Sequence, residues 1–174
     1  MISIEIRDHI PITQSQIQEC IMLLPKKFHN LECRVIIGNL FRDEDYILTG
    51  VDPMIIFQGC IGRCHIRTRH FYNSKGKVID FTILEYPKVF IHSQFTPNEN
   101  LFKTNFVYIL FHELYHAYQY LTNPKIGKCP EPPAYRFSTF WTLLYKNKIS
   151  RILDIDDSKY FRLPYDWKRH FIEW

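Results

Sequence analysis

The sequence predicts an α+β fold, in which a small antiparallel or mixed sheet has helices packed on one face. Residues 66–95 are rich in β-branched and aromatic residues and contain a turn signal. Residues 96–148 then carry two helical patterns, and a shorter helical pattern stands between two strand-like runs near the N-terminus.

The size of the chain indicates one domain over residues 1–174. With 174 residues, of which 46% are hydrophobic, the chain can bury an ordinary core without disulfides. We expect an N-terminal helix and strands in residues 1–65, the main sheet and helices in residues 66–148, and a C-terminal extension in residues 149–174.

The cysteines and the N-terminus bear on the compartment. The first residues alternate apolar and charged side chains and lack the regions of a signal peptide. No apolar stretch is long enough for a membrane span, so no membrane partner is expected. Five cysteines without a secretory signal are typical of reduced thiols. A cytoplasmic protein is therefore expected.

The N-terminal third predicts short elements. Residues 2–7 indicate a strand, and Thr13 with Gln16 forms a capping-box pattern before a helix that Pro25 ends. The apolar face of this helix consists of Ile17, Cys20, Ile21 and Leu24. Residues 33–37 then form a β-branched run, and residues 46–58 predict a strand, a turn and a strand.

The central region predicts a hairpin followed by a separate strand. Residues 67–72 and 78–86 flank Asn73-Ser74-Lys75-Gly76, which is a good hairpin loop. Pro87 interrupts the second strand, and residues 89–92 give a last strand. Because proline cannot donate to a ladder, this last strand is predicted at a sheet edge.

Two helices are predicted next. Thr96-Pro97-Asn98-Glu99 combines an N-cap threonine, a proline at the first helical position and a glutamate at the third. This helix should run to about Leu121, and it is apolar over most of its circumference, which indicates that it is largely buried. The second helix should run from about Pro132 to Lys148, followed by one more short helix and irregular chain.

The first of these helices contains His112-Glu113-Leu114-Tyr115-His116, which is the pattern H-E-x-x-H. Residues four apart lie one turn apart on a helix, so the two imidazoles can bind one ion, and zinc accepts such nitrogens at ~2.1 Å. Glu113 can then act as general base on the zinc-bound water. The alternative is that these are polar residues on a helix surface, which the apolar character of this helix disfavours.

A catalytic zinc needs a third protein ligand. Glu131 follows His116 by 15 residues and stands at the start of the second helix. Glu131 is the favoured third ligand, and the alternative is an acidic residue that only favours the helix dipole. Other residues that could serve as the third ligand are Cys129, Asp154, Asp156 and His170.

The two motifs together resemble those of a known class of enzyme. His112-Glu113-x-x-His116 followed by Glu131-x-x-Ala134-x-x-Phe137 resembles the gluzincin metallopeptidases. More narrowly, the pattern is similar to the small minigluzincin type, which includes the ImmA/IrrE-like peptidases with H-E-x-x-H on one helix and E-x-x-A on the next. The resemblance covers residues 66–145, and the two prolines inside the second motif depart from it.

The resemblance implies a zincin-like core and a zinc-dependent peptidase that acts on an intracellular protein or peptide. It implies one zinc ion per chain, bound by His112, His116 and Glu131, with Glu113 as the base. It further implies that residues 89–92 are the edge strand that pairs with the substrate and that Ala134 lets the two helices approach closely.

Several other features are weaker. Cys60-x-x-x-Cys64-His65 could hold a second metal but lacks a partner pair at zinc-finger spacing. Candidate oxyanion stabilisers are Tyr115, Tyr118, Tyr135, Tyr145 and His170. The net charge is +4, and the last 30 residues mix basic with acidic side chains, which favours a solvated surface over a nucleic-acid partner. A non-catalytic zinc module and a nucleic-acid-associated protein are the alternative functions.

Overall fold

The described part of the chain, in a computed structural model, comprises residues 1–40, 60–93, 98–123, 130–156 and 161. The strands in these ranges are β1 (Ser3–Ile6), β2 (Arg34–Gly38), β3 (Cys60–Tyr72) and β4 (Val78–Ser93). The helices are α1 (Gln14–Ile21), α2 (Lys26–His29), α3 (Glu99–Thr122), α4 (Glu131–Leu144) and α5 (Lys146–Leu153). The α+β class is confirmed. Among the described helices, none is both long and apolar enough to cross a membrane.

The four strands form one mixed sheet in the order β1-β2-β4-β3. β1 pairs with β2 and β2 pairs with β4, both in parallel, whereas β3 and β4 form an antiparallel hairpin. Residues 1–65 therefore supply β1, β2 and the beginning of β3 to the same sheet as β4. The predicted internal boundaries at 65/66 and 148/149 fall inside β3 and inside α5.

The prediction that residues 89–92 form a separate edge strand was wrong. They are the end of the continuous strand β4, which lies in the interior of the sheet between β2 and β3. Pro87 is tolerated because the ladder with β3 passes from Glu85 to Lys88 through a bulge. β2 begins its pairing only at Lys88, so no ladder bond from position 87 is needed on that side either. Of the strands that the structure describes, the edge strand next to β4 is β3.

The main core lies between one face of the sheet and the helices. Val35, Ile37, Val89 and Ile91 point to this side and pack in one cluster with the buried residues of α1 and α3. Ile36 and Phe90 alternate with them and form a small cluster with Leu40 on the opposite face. In the described ranges the helices thus contribute to the core on one face, as the sequence predicts.

Local signals near the N-terminus and at the hairpin were confirmed. The Thr13 hydroxyl accepts a hydrogen bond from the Gln16 backbone N–H, and the Gln16 side chain accepts one from the Thr13 N–H, which is the capping box. Gly76 has a φ of 73° in the hairpin loop, a conformation that favours glycine. The strands predicted at residues 46–58 lie outside the described residues.

Three cysteines lie in the main core. Cys20, Cys33 and Cys64 are buried, and none of the three forms a disulfide. Burial raises the pKa of the Cys20 and Cys33 thiols to about 12, so both remain protonated at neutral pH.

Helix α3 is the central helix of the fold. It begins two residues later than the Thr96 cap predicts, because Asn98 is the N-cap and accepts a hydrogen bond from the Leu101 N–H. Buried residues occupy most of its circumference, as its apolar sequence predicts. Its C-terminal half carries His112, Glu113 and His116.

The second predicted helix is two helices. α4 ends at Leu144 and α5 starts at Lys146, so the break at Tyr145 was not predicted. Pro132 and Pro133 lie in the first turn of α4, where the backbone N–H groups have no helical partner and proline is tolerated. Ala134 is fully buried, as close packing of α4 against its neighbours requires.

Candidate metal centre

Two histidines on α3 point to one place. His112 and His116 are buried, and their Nε2 atoms lie 3.0 Å apart. A separation of four residues places side chains one above the other on a helix, so this convergence follows from the local sequence alone. Their rings are nearly perpendicular, with centroids 4.7 Å apart.

Glu131 completes the group from the first turn of α4. Its Oε2 atom lies 3.0 Å from His112 Nε2 and 3.4 Å from His116 Nε2. In the described ranges, His112, His116 and Glu131 are the group of potential metal ligands whose donor atoms come together. Asp154 and Asp156 do not belong to it, and Cys129 and His170 lie outside the described residues.

The arrangement of the three donor atoms is better explained by coordination of a cation than by hydrogen bonds among them. Each pair is within hydrogen-bond distance, but a proton on either ring nitrogen can point at only one neighbour, so all three contacts cannot be good hydrogen bonds at once. A tetrahedral zinc site with bonds of ~2.1 Å separates its ligand atoms by about 3.4 Å. The observed separations of 3.0, 3.0 and 3.4 Å are close to this value. Two imidazoles and one carboxylate are also a donor set that zinc accepts, with a further position left for water.

The outer ring atoms of the histidines differ in their surroundings. His116 Nδ1 lies 3.1 Å from the Gln119 side-chain oxygen, which can accept the Nδ1–H and so leave the Nε2 lone pair facing the other ligands. His112 Nδ1 is buried and has no hydrogen-bond partner among the described residues. The Tyr135 ring packs against the His112 ring at 4.4 Å and limits how it can turn.

The electrostatics of Glu131 favour its ionised form. Hydrogen bonds from His112 and then from His116 hold the pKa of this carboxyl well below its usual range, while partial burial opposes the shift. An ionised carboxylate is the form that binds a metal ion.

Glu113 lies beside this group and is buried against β3. A Cβ atom added to Gly62 would lie 2.6 Å from Glu113 Cγ and 2.7 Å from Glu113 Oε1, so the side chain rests directly on the strand backbone. Burial raises the pKa of Glu113. The charges of His112 and His116 oppose this shift, Glu131 adds to it, and Arg63 on β3 also opposes it.

Of the oxyanion candidates named from the sequence, the four tyrosines lie within the described residues, and His170 lies outside them. Tyr115 packs with Phe28 and Phe137, Tyr118 packs with Phe28, and Tyr145 stacks on Trp141, so these rings have structural contacts. Of the candidate tyrosines, Tyr135 alone contacts a member of the group among the described residues.

A second metal site at Cys60, Cys64 and His65 is not supported. The three residues lie on the extended strand β3, where Cys64 is buried and His65 is exposed on the opposite face. Cys60 and Cys64 are four residues apart, which is about 13 Å along a strand, so the three cannot bind one ion.

Sequence reasoning did not identify three residues that shape the site. Gln119 follows His116 at the i+3 position, a spacing at which helical side chains meet, so this contact could have been found. Gly62 stands inside a strand, where glycine often marks the close approach of another element. Arg63 gave no signal in the sequence, because its position near Glu113 depends on the packing of β3 against α3.

Comparison of the chain with protein-family models, with curated proteins and with solved structures gave no match.

Proposed function

We propose that this chain is a zinc-dependent metallopeptidase with a zincin-like core, in which His112, His116 and Glu131 hold one zinc ion and Glu113 is the general base. The observation that carries the proposal is the convergence of three donor atoms, 3.0 to 3.4 Å apart, on a helix that also presents the buried Glu113. An acidic side chain next to a His-His-Glu group is the combination that metal-assisted hydrolysis needs.

The roles of the residues follow from their positions. Zinc, when bound, would polarise the scissile carbonyl and lower the pKa of water from 15.7 towards ~7. Glu113 accepts the proton of the attacking water and transfers it to the leaving amine. Burial raises the pKa of Glu113, which makes its carboxylate a stronger base than an exposed one. Gln119 holds His116 in the tautomer that presents its Nε2 lone pair.

The strand that pairs with an extended substrate is β3 in this proposal, in place of residues 89–92. Among the described strands, β3 is at the end of the sheet order, and it runs past Glu113 at Gly62. An edge strand has backbone N–H and C=O groups free on its outer side, and an extended peptide can pair with them. Such pairing would bring one peptide bond next to the His-His-Glu group.

The test compares the wild type with Glu113→Gln, loaded with zinc to the same stoichiometry. We expect Glu113→Gln to keep its zinc and its fold, because Glu113 is not a member of the ligand group. Cleavage should fall by about 10²–10⁴-fold, which is the usual contribution of general acid–base catalysis. Cellular proteins that gain new termini only with the wild type would be the substrates.

The control is Glu19→Gln, which removes an exposed carboxylate from α1 and should leave both zinc content and cleavage unchanged. Zinc at one ion per chain with identical termini in wild type and Glu113→Gln would instead favour the non-catalytic zinc module. Absence of zinc even after reconstitution would contradict both.

A further inference from the structure

The edge strand β3 has a row of basic side chains on one face. Arg63, His65, Arg67 and Arg69 occupy alternate positions and are all exposed. The two register shifts near Arg67 add their extra residues to β4, so alternate residues of β3 keep pointing to the same face and these four side chains lie on one side of it. Cys64, which lies between them in the sequence, points to the other side and is buried in the main core.

The hairpin that contains this row has an unusual charge. Residues 60–93 contain six Lys or Arg and two Asp or Glu, a net charge of +4, which equals that of the whole chain. The last 30 residues contain seven Lys or Arg and five Asp or Glu, a net charge of only +2. The basic excess of this protein is therefore concentrated on the β3–β4 hairpin rather than near the C-terminus.

The row is only partly neutralised by neighbouring acids. Glu85 on β4 lies 3.2 Å from Arg67 and 3.0 Å from Lys88, so one carboxylate serves two cations. In the parts of the chain that the structure describes, no carboxylate lies within ion-pair distance of Arg63 or Arg69. Exposed cations with few acidic neighbours attract acidic groups from a partner.

The row begins next to the proposed catalytic base. Arg63 directly follows Gly62, whose backbone is in contact with the Glu113 side chain. From Arg63 to Arg69 the strand extends about 20 Å away from this point, at ~3.3 Å per residue. A peptide paired with the edge of β3 would therefore lie along the basic row on one side of Glu113.

We propose that this basic face of β3 selects substrates with an acidic extended segment, in which Asp or Glu occupies alternate positions beside the cleavage site. The inference rests on the proposed peptidase function. A paired strand has the same repeat as β3, so acidic side chains at every second position face the arginines directly, and opposite charges on adjacent strands attract. A peptide is favoured over a nucleic acid because the row follows a strand edge that can also provide backbone hydrogen bonds.

Binding is tested without turnover by using zinc-loaded Glu113→Gln. The probe is a fluorescein-labelled ten-residue peptide of alternating Glu and Thr. Its binding is measured by fluorescence anisotropy at low salt. A variant of this protein that also carries Arg63→Glu, Arg67→Glu and Arg69→Glu should bind the peptide about tenfold or more weakly. Each exposed ion pair contributes modestly, so all three arginines are changed together. The matched control replaces Lys146, Lys148 and Arg151, which are exposed on α5, by glutamate. This reversal of charge away from β3 should change peptide binding by less than about twofold.

Two checks distinguish a loss of charge from a loss of fold. A variant with lysine in place of the same three arginines keeps the positive charge and should keep most of the peptide binding. The zinc content and the circular dichroism spectrum of every variant should match those of the zinc-loaded Glu113→Gln protein. Equal binding of the peptide by the parent and by the charge-reversed β3 variant would overturn the proposal. A labelled twelve-nucleotide single-stranded DNA that binds more tightly than the peptide, and loses binding in the same variant, would overturn it in favour of a nucleic acid.

A cleavage experiment separates this inference from the function on which it rests. Wild-type protein is incubated with a random peptide library, and we expect cut peptides to be enriched in Asp and Glu at alternate positions on one side of the cut. Zinc-dependent cleavage that shows no such enrichment, and whose rate is the same in the charge-reversed β3 variant, would overturn the inference. The same result would support the peptidase function. Arginine-dependent binding of the acidic peptide without any cleavage would support the surface and overturn the peptidase.

Discussion

At the scale of single residues, the position of Glu113 depends on a residue that has no side chain. The Gly62 backbone on β3 lies so close to α3 that a Cβ atom would be 2.5 Å from Ile109 Cγ2, as well as within 2.7 Å of two Glu113 atoms. These separations are below van der Waals contact, so any larger residue at position 62 must move the strand, the helix or the glutamate. Gly62 therefore acts as a positioning residue for the proposed base.

We predict that Gly62→Ala lowers the turnover number by at least about tenfold while zinc binding is retained, because small displacements of catalytic groups are costly. Overpacking should also cost about 1–3 kcal/mol of stability. Adding Ile109→Leu removes the Cγ2 atom and should restore part of the stability, but not the activity, since the contact with Glu113 remains. The measurements are steady-state kinetics, zinc content and urea unfolding.

The comparison variant is Gly76→Ala in the hairpin loop. Nothing lies within 4 Å of a Cβ atom there, but its φ of 73° is unfavourable for alanine. This variant should lose stability without losing activity per folded molecule. Full activity of Gly62→Ala would show that the position of Glu113 does not depend on this contact.

At the scale of elements, the site is divided between two helices. α3 supplies both histidines, and the first turn of α4 supplies Glu131. The distance between the helices therefore sets the distance from Glu131 to the histidines. Small buried residues on α4, namely Ala134, Ser138, Thr139 and Thr142, leave room for a close approach of its neighbours.

We predict that Ala134→Leu weakens zinc binding by about tenfold or more and costs about 1–3 kcal/mol of stability, because the larger side chain overpacks a fully buried position one turn from Glu131. Competition with a chelator measures the affinity. Phe140→Leu, at an exposed position of the same helix, is the control and should bind zinc normally. Unchanged affinity in Ala134→Leu would mean that Glu131 is not held by helix packing.

At the scale of the whole molecule, an ion at the proposed site would join α3 to α4, because its ligands come from both helices. An ion that binds the folded state and not the unfolded chain stabilises the protein by about 2.7 kcal/mol at a free concentration 100 times its dissociation constant. For a chain of this size, that corresponds to a rise in melting temperature of roughly 5–10 °C.

We predict that zinc at this excess raises the melting temperature of the wild type by roughly this amount and that a chelator reverses the effect. In Glu131→Ala the dissociation constant should rise by at least about tenfold, since one of three protein ligands is lost, and the shift at the same zinc concentration should shrink accordingly. Differential scanning calorimetry provides the measurement. If Glu131→Ala kept the full shift and His170→Ala lost it, the third ligand would be His170.

Much of the local structure could be predicted from the sequence because its causes are local. The convergence of His112 and His116 follows from helical periodicity over four residues, and the Thr13 cap and the Gly76 turn depend on their immediate neighbours. Glu113 was predicted as the base because it follows His112 directly on the same helix, and that role remains a prediction. The break at Tyr145 and the shift of the N-cap to Asn98 were missed, since packing decides between nearly equal local signals.

The sequence by itself determined an α+β class and one helix with two histidines and a glutamate, and it favoured Glu131 among five candidates for the third ligand. Only the tertiary structure brought Glu131 to the histidines, placed β3 rather than residues 89–92 at the sheet edge, and set Gly62 against Glu113. These decisions depend on contacts between residues far apart in the chain. Their free energies come from the simultaneous packing of several elements, and no local pattern of residues encodes that packing.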